Sequence, residues 1–140
     1  MTRAKQPAPD ASPEPLTVLV AEDEALVRLM LADVLREHGL QVIEAVDAEE
    51  ALSILNGVPI DAVVVDLHMR GFKDGLAVAQ YVRRHGPTVP VILASPETPS
   101  IHEQPLFDAF FVKPYQPDDI AHWIKRHHMS TSPLEARQSA

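Results

Sequence analysis

Apolar residues in this chain fall into two kinds of stretch that alternate along its length. Short, nearly unbroken runs lie at residues 16–21, 42–45, 60–65, 89–94 and 109–112. They are rich in valine and isoleucine and lack a polar alternate, the pattern of strands buried on both faces. Between them the spacing lengthens to three and four residues. Leu26, Val27, Met30, Leu31, Val34 and Leu35 mark a helix over 25–38 that Gly39 closes. Asp47 caps a helix from Ala48 to about Asn56, with Glu50 in the capping-box position, and Gly57 and Pro59 end it. A third helix follows Asp74-Gly75, runs through Ala77, Val78, Tyr81 and Val82 to His85, and stops at Gly86-Pro87. A last one spans about 117–128, with Ile120, Ile124 and His127 on one side and Trp123 beside them. Strands alternating with helices predict an α/β fold, a parallel sheet covered on both faces.

The alternation fails once. From Pro96 to Pro105 the periodicity is lost, and Pro96, Pro99 and Pro105 interrupt the segment. An interior proline costs a helix about 3 kcal/mol, so an irregular or single-turn segment is expected there.

Composition narrows the function classes. The 140 residues suffice for one cored domain, expected over 16–129. Residues 1–15 hold Pro7, Pro9, Pro13 and Pro15 among small and polar residues and read as a disordered arm; 130–140 read as a disordered tail. The net charge of −8 argues against nucleic acid as a main partner. The absence of cysteine excludes disulfides, thiolate metal sites and cysteine nucleophiles. No apolar run approaches a membrane span and the first residues lack a signal segment, so no membrane association and a cytoplasmic location are expected.

The polar residues that end the strands carry the chemistry. The first run stops at Glu22-Asp23, the third at Asp66, the fourth at Ser95 and the fifth at Lys113. In an open parallel sheet these ends share one edge, where such folds place ligands. Carboxylates gathered together repel unless a hard divalent cation lies among them, and Mg²⁺ takes oxygen ligands. A lysine and a hydroxyl beside them would complete a cradle for a phosphoryl group, with a carboxylate oxygen as nucleophile. Each feature alone has a plainer explanation: Glu24 beside a helix start is most simply a cap, and Lys-Pro after a strand is most simply a turn.

The stretches Val18-Leu19-Val20-Ala21-Glu22-Asp23-Glu24, Asp61-Ala62-Val63-Val64-Val65-Asp66-Leu67-His68-Met69, Pro90-Val91-Ile92-Leu93-Ala94-Ser95 and Phe111-Val112-Lys113-Pro114 together resemble the receiver domain of two-component response regulators. The resemblance covers essentially all of 16–128 and implies the flavodoxin-like strand order 2-1-3-4-5. It implies Asp66 as phosphoacceptor. Asp23, Asp66 and the His68 backbone carbonyl would be direct Mg²⁺ ligands, with Glu22 acting through a metal-bound water. Lys113 would pair with a phosphoryl oxygen. It makes Ser95 and Phe110 the switch pair, and sets His68 and Glu97 where dephosphorylation is tuned. The partners implied are a bacterial sensor histidine kinase or histidine phosphotransfer protein and an unspecified downstream protein. The chain would then signal by protein contact with no attached effector, catalysing only its own phosphorylation and dephosphorylation.

Departures from the family pattern fall in two loops. Arg70 stands where proline is usual, and Asp74-Gly75 comes one residue late. The segment between Ser95 and Lys113 is about four residues short, which alters the usual output and dimerisation face and leaves dimerisation open. Pro96 also lacks an N–H that would help bind phosphate. An interaction module of the same fold without productive phosphorylation stays open as a second reading. A phosphatase or nucleotide-binding enzyme is a third, although Glu22-Asp23-Glu24 stands where a glycine-rich loop would be needed. His122, His127 and His128 are expected to serve the charge of a helix C-terminus rather than a metal, and Phe107, Phe110 and Phe111 to fill the core beside the short segment.

Overall fold

The structure, a computed structural model, describes residues 14–71 and 74–130. The expected arm over 1–15 and tail over 130–140 lie almost wholly outside the described residues. Five strands, β1 (Thr17–Ala21), β2 (Gln41–Ala45), β3 (Ala62–Val65), β4 (Val91–Ser95) and β5 (Ala109–Val112), form one all-parallel sheet in the order β2-β1-β3-β4-β5. Four helices, α1 (Ala25–Glu37), α2 (Ala48–Gly57), α3 (Gly75–His85) and α4 (Pro117–Ser130), cover it, as in the flavodoxin-like arrangement.

The side-chain alternation of the strands sorts the core into two layers. Leu19, Val63, Val65, Val91 and Leu93 pack with Ala48, Ala51, Val78 and Val82 of α2 and α3. Their neighbours Val18, Val20, Val64 and Ile92 pack on the opposite face with Leu31 and Leu35 of α1 and Ile120 and Ile124 of α4. β3, in the centre, is buried along its whole length.

The elements match the periodicity, with ends displaced by one or two residues. β3 begins at Ala62 rather than Ile60, because Asp61 turns its carboxylate back to accept the Thr17 N–H at 2.8 Å. β4 begins at Val91 rather than Val89, whose N–H bonds Gly86 O in a turn. The Asp47 cap holds: its Oδ1 accepts the Glu50 N–H at 2.8 Å, and Glu50 reaches back to the Val46 N–H. Gly39, at φ +88°, closes α1 through a bond from the Leu40 N–H to Leu35 O.

The crossover from β4 to β5 carries only one 3₁₀ turn, Gln104–Leu106. What a helix would otherwise supply comes from Arg83 on α3. Its guanidinium donates to Leu106 O at 3.1 Å and Val89 O at 3.2 Å and pairs with Asp108, which also accepts the Val91 N–H. Phe107 is buried beneath this clamp, but Phe110 is 40% exposed, contrary to the expectation that it fills the core. It lies on the face of β5 opposite Ala109 and Phe111 and meets the edge of Phe107, at 6.3 Å between centroids. Arg83→Ala is expected to destabilise the fold by about 2–3 kcal/mol, since it strands several carbonyls and Asp108 together. Denaturant unfolding checks the loss, and faster amide exchange centred on Val91 and residues 106–108 identifies the clamp as its source.

Candidate functional site

The C-terminal edge of the sheet brings together the acids that end β1 and β3. Backbone pairing of Ala21 with Ala45 and Val65 sets the register, and the Asp66 N–H bonds Ala21 O, so the two loops leave the sheet side by side. Glu22 and Asp66 are 3% and 6% exposed, among the few buried polar groups described. From β5, Lys113 enters between them: its Nζ lies 2.9 Å from Glu22 Oε1 and 2.7 Å from Asp66 Oδ2.

The second oxygen of each acid is also engaged. Asp66 Oδ1 accepts the His68 N–H at 3.1 Å, and Glu22 Oε2 accepts the Glu24 N–H at 3.1 Å. Glu24 occupies the N-cap position of α1 without a side-chain cap bond, so the cap expected of it is absent; its carboxylate lies 3.9 Å from Lys113. Burial is the largest influence on Glu22 and raises its pKa, against the opposing bonds from Lys113 and the Glu24 N–H. Burial also opposes the Lys113 charge, but hydrogen bonds to Asp66 and Glu22 outweigh it and hold the ammonium above the usual lysine range.

Asp23 faces a different cation. Its Oδ2 accepts the Arg70 N–H at 3.2 Å and lies 3.6 Å from Arg70 Nε. His68 Nε2 reaches Glu97 Oε1 at 3.2 Å, joining the loops after β3 and β4. Ser95 is buried at the end of β4, and its Oγ accepts the Glu97 N–H at 3.4 Å, the first donor after Pro96. The Lys113–Pro114 bond is cis.

Two residues that support the site were not evident from sequence. Arg28 donates from Nη1 to Glu22 O at 2.8 Å and pairs with Glu44, fixing the acidic loop's backbone. A cation one turn inside α1, on the flank of its apolar stripe, was the available signal. Tyr115 sits behind Lys113, and its phenol is pushed up to about 12 by burial, with Glu22 and Asp66 adding to the effect and Lys113 opposing it. In a Tyr81→Phe variant, phenolate absorbance of the folded protein should therefore rise around pH 12 instead of 10. Because the folded value is raised, Tyr115's contribution to stability is complete below pH 10 and is lost as pH climbs through about 12.

Two histidines of α4 meet neighbouring rings. His127 stacks on Trp123 with ring centroids 4.8 Å apart, while His122 meets the edge of His38, which bonds Asp118. Among the described residues no group of three or more His, Asp or Glu side chains is gathered into a ready-made cation cage. Glu22, Asp23 and Asp66 are instead each engaged by Lys113 or Arg70. The donor set still suits a hard divalent cation: it consists of carboxylate oxygens, and Asp23 keeps 17% of its side chain open to solvent.

With the buried Asp66–Lys113–Glu22 group at the strand ends, the family model for the response regulator receiver domain matches residues 18–125. The chain belongs to this family. Among curated relatives, an NtrX-like response regulator of Rickettsia conorii is 35% identical over 81 residues, 57% of this chain and 17% of that protein. PdtaR of Mycobacterium tuberculosis, a transcriptional regulatory protein, is 41% identical over 69 residues, 49% of this chain and 33% of the relative. The chain thus spans a minor part of these relatives' length. Among solved structures, the response regulator TrrA of Thermotoga maritima, in complex with Mg²⁺ and BeF, is 28% identical with a TM-score of 0.74, covering 80% of this chain and 98% of that one. A Francisella response regulator receiver domain is 25% identical with a TM-score of 0.76, covering 84% and 99%. The chain is a response regulator receiver domain, consistent with two-component signalling. No helix among the described residues is long and apolar enough to cross a membrane.

Proposed function

We propose that Asp66 is the phosphoacceptor of a His-Asp phosphorelay. The supporting observation is its carboxylate, buried at the end of the central strand and bonded at 2.7 Å to the Lys113 ammonium. A lone pair on an Asp66 oxygen attacks the phosphorus of a phosphohistidine or small acyl phosphate. The new O–P bond forms as the bond to the donor's nitrogen or oxygen breaks, and the electron pair leaves with the donor. Lys113 pairs with the arriving phosphoryl oxygens, and the Ser95 hydroxyl donates to one of them. Asp23, Asp66 and the His68 carbonyl would hold Mg²⁺, with Glu22 acting through water. The ion, when bound, neutralises the carboxylates and the phosphoryl oxygens. Ser95 and Phe110 then form the switch, and Phe110 starts from an exposed position.

The partner on the input side is a histidine kinase or histidine phosphotransfer protein, and the output is protein contact. Nucleic acid is not expected to bind this domain, whose chain carries a net charge of −8. Beryllofluoride, a phosphoryl mimic, tests the site without a donor. Amide resonances of 66–68, 95, 97 and 113 should shift only when both beryllofluoride and Mg²⁺ are present, and not in Asp66→Asn. Unshifted resonances in the folded wild-type protein would contradict the assignment.

A further inference from the structure

The Lys113 ammonium serves Glu22 and Asp66, and a different cation serves Asp23. Arg70 meets the same oxygen, Asp23 Oδ2, twice: its backbone N–H at 3.2 Å and its Nε at 3.6 Å. The contact joins the loop after β3 to the loop after β1, 47 residues apart in sequence. Gly71, at φ +103°, turns the chain immediately after Arg70, a conformation that other residues rarely adopt. The two side chains differ in exposure, 17% for Asp23 and 85% for Arg70. A guanidinium so far out in water, beyond hydrogen-bond distance at Nε, adds little to the fold. Its charge nevertheless lies beside Asp23, which is more open than Glu22 or Asp66 to an incoming cation.

We infer that Arg70 is a built-in counter-cation of Asp23, competing with a divalent metal for the same carboxylate oxygen and setting how much metal the site requires. The inference rests on the reading of Asp23 as a metal ligand. Guanidinium and metal cannot both occupy Oδ2 at close range, and a positive charge held nearby repels the metal even when displaced. Arg70 is thus a positioning residue that acts through Asp23 and touches no phosphoryl group. The domain responds to Mg²⁺ at a higher concentration than its carboxylates alone would need.

The test is calorimetric titration of MgCl₂ into the unphosphorylated protein at low, fixed ionic strength, with metal-free melting as the folding control. Arg70→Gln should bind Mg²⁺ about three- to tenfold more tightly than wild type, the scale of one partly screened unit charge nearby. Arg70→Lys, which keeps the charge, should stay near wild type, and Asp23→Asn should lose most of the affinity. Unchanged or weaker binding in Arg70→Gln, with Asp23→Asn still impaired, would overturn the inference about Arg70 alone. Absence of Mg²⁺ binding in wild type, or undiminished binding in Asp23→Asn, would overturn the metal-site reading together with it.

Discussion

Replacing Lys113 with methionine should cost about 3 kcal/mol of stability at pH 7 in the absence of metal, and less near pH 4.5. Methionine preserves much of the lysine stem's apolar contact but removes the charge between Glu22 and Asp66, both nearly inaccessible to water. Breaking a buried pair from one side leaves an uncompensated charge, which typically costs about 3–5 kcal/mol. Proton uptake limits the part of the loss that falls on Glu22. Protonating a carboxyl with the ordinary glutamate value of 4.5 at pH 7 costs about 3.4 kcal/mol, so Glu22 takes up a proton before its share of the penalty exceeds that figure. Its folded pKa, already raised by burial, rises further once the Lys113 hydrogen bond is gone. A raised folded value contributes stability that is complete below the unfolded value and lost as pH rises through the folded one. The deficit relative to wild type therefore widens above pH 4.5 and levels off once Glu22 ionises in the folded variant. Urea unfolding across this range reads it directly. A deficit independent of pH would assign the role of Lys113 to packing instead.

Gly75→Ala should displace the Asp66 loop. A Cβ at this position would lie 2.2 Å from Asp66 O and 3.0 Å from both Asp66 C and Leu67 Cα. All three are backbone atoms, so no side-chain rotation relieves the clash. The first turn of α3 is also pinned, by the Gly75 N–H to Leu67 O at 3.1 Å and by Asp74 Oδ1 accepting from Leu76 and Ala77. Overpacking of this kind costs about 1–3 kcal/mol, and alanine's better helix propensity returns up to about 1. A net loss of about 1–2 kcal/mol is expected. The larger effect falls on chemistry, because moving a reacting group by about 1 Å can lower a rate about 100-fold. Phosphorylation of Asp66 should slow by that order while the melting curve stays cooperative. A rate within twofold of wild type would show that the loop accommodates the methyl group.

Much of the site was legible in the sequence because a parallel sheet turns chain order into geometry. Once residues 16–21, 60–65 and 109–112 read as buried strands, Glu22, Asp66 and Lys113 had to leave the same edge, and the structure has them in contact. The proline-broken crossover was equally readable, since Pro96, Pro99 and Pro105 forbid a regular helix. The arginines were not. Arg83 clamps Leu106 and Asp108 across 23 and 25 residues, and Arg70 meets Asp23 across 47, pairings that local periodicity does not encode. Gly75 looked like an ordinary helix start until the position of the Asp66 carbonyl showed why no side chain fits. Phe110 was misread as core because apolar character alone does not reveal which face of an edge strand a missing helix leaves open.

Intact mass after incubation with acetyl phosphate and Mg²⁺ tests the central claim most directly. Wild-type protein should gain one phosphoryl group of ~80 Da, labile at alkaline pH as an acyl phosphate is. The gain should vanish with EDTA and in Asp66→Asn. An adduct of the same size persisting in Asp66→Asn, or none in folded wild-type protein even with a phosphohistidine donor, would contradict the assignment of Asp66 as phosphoacceptor.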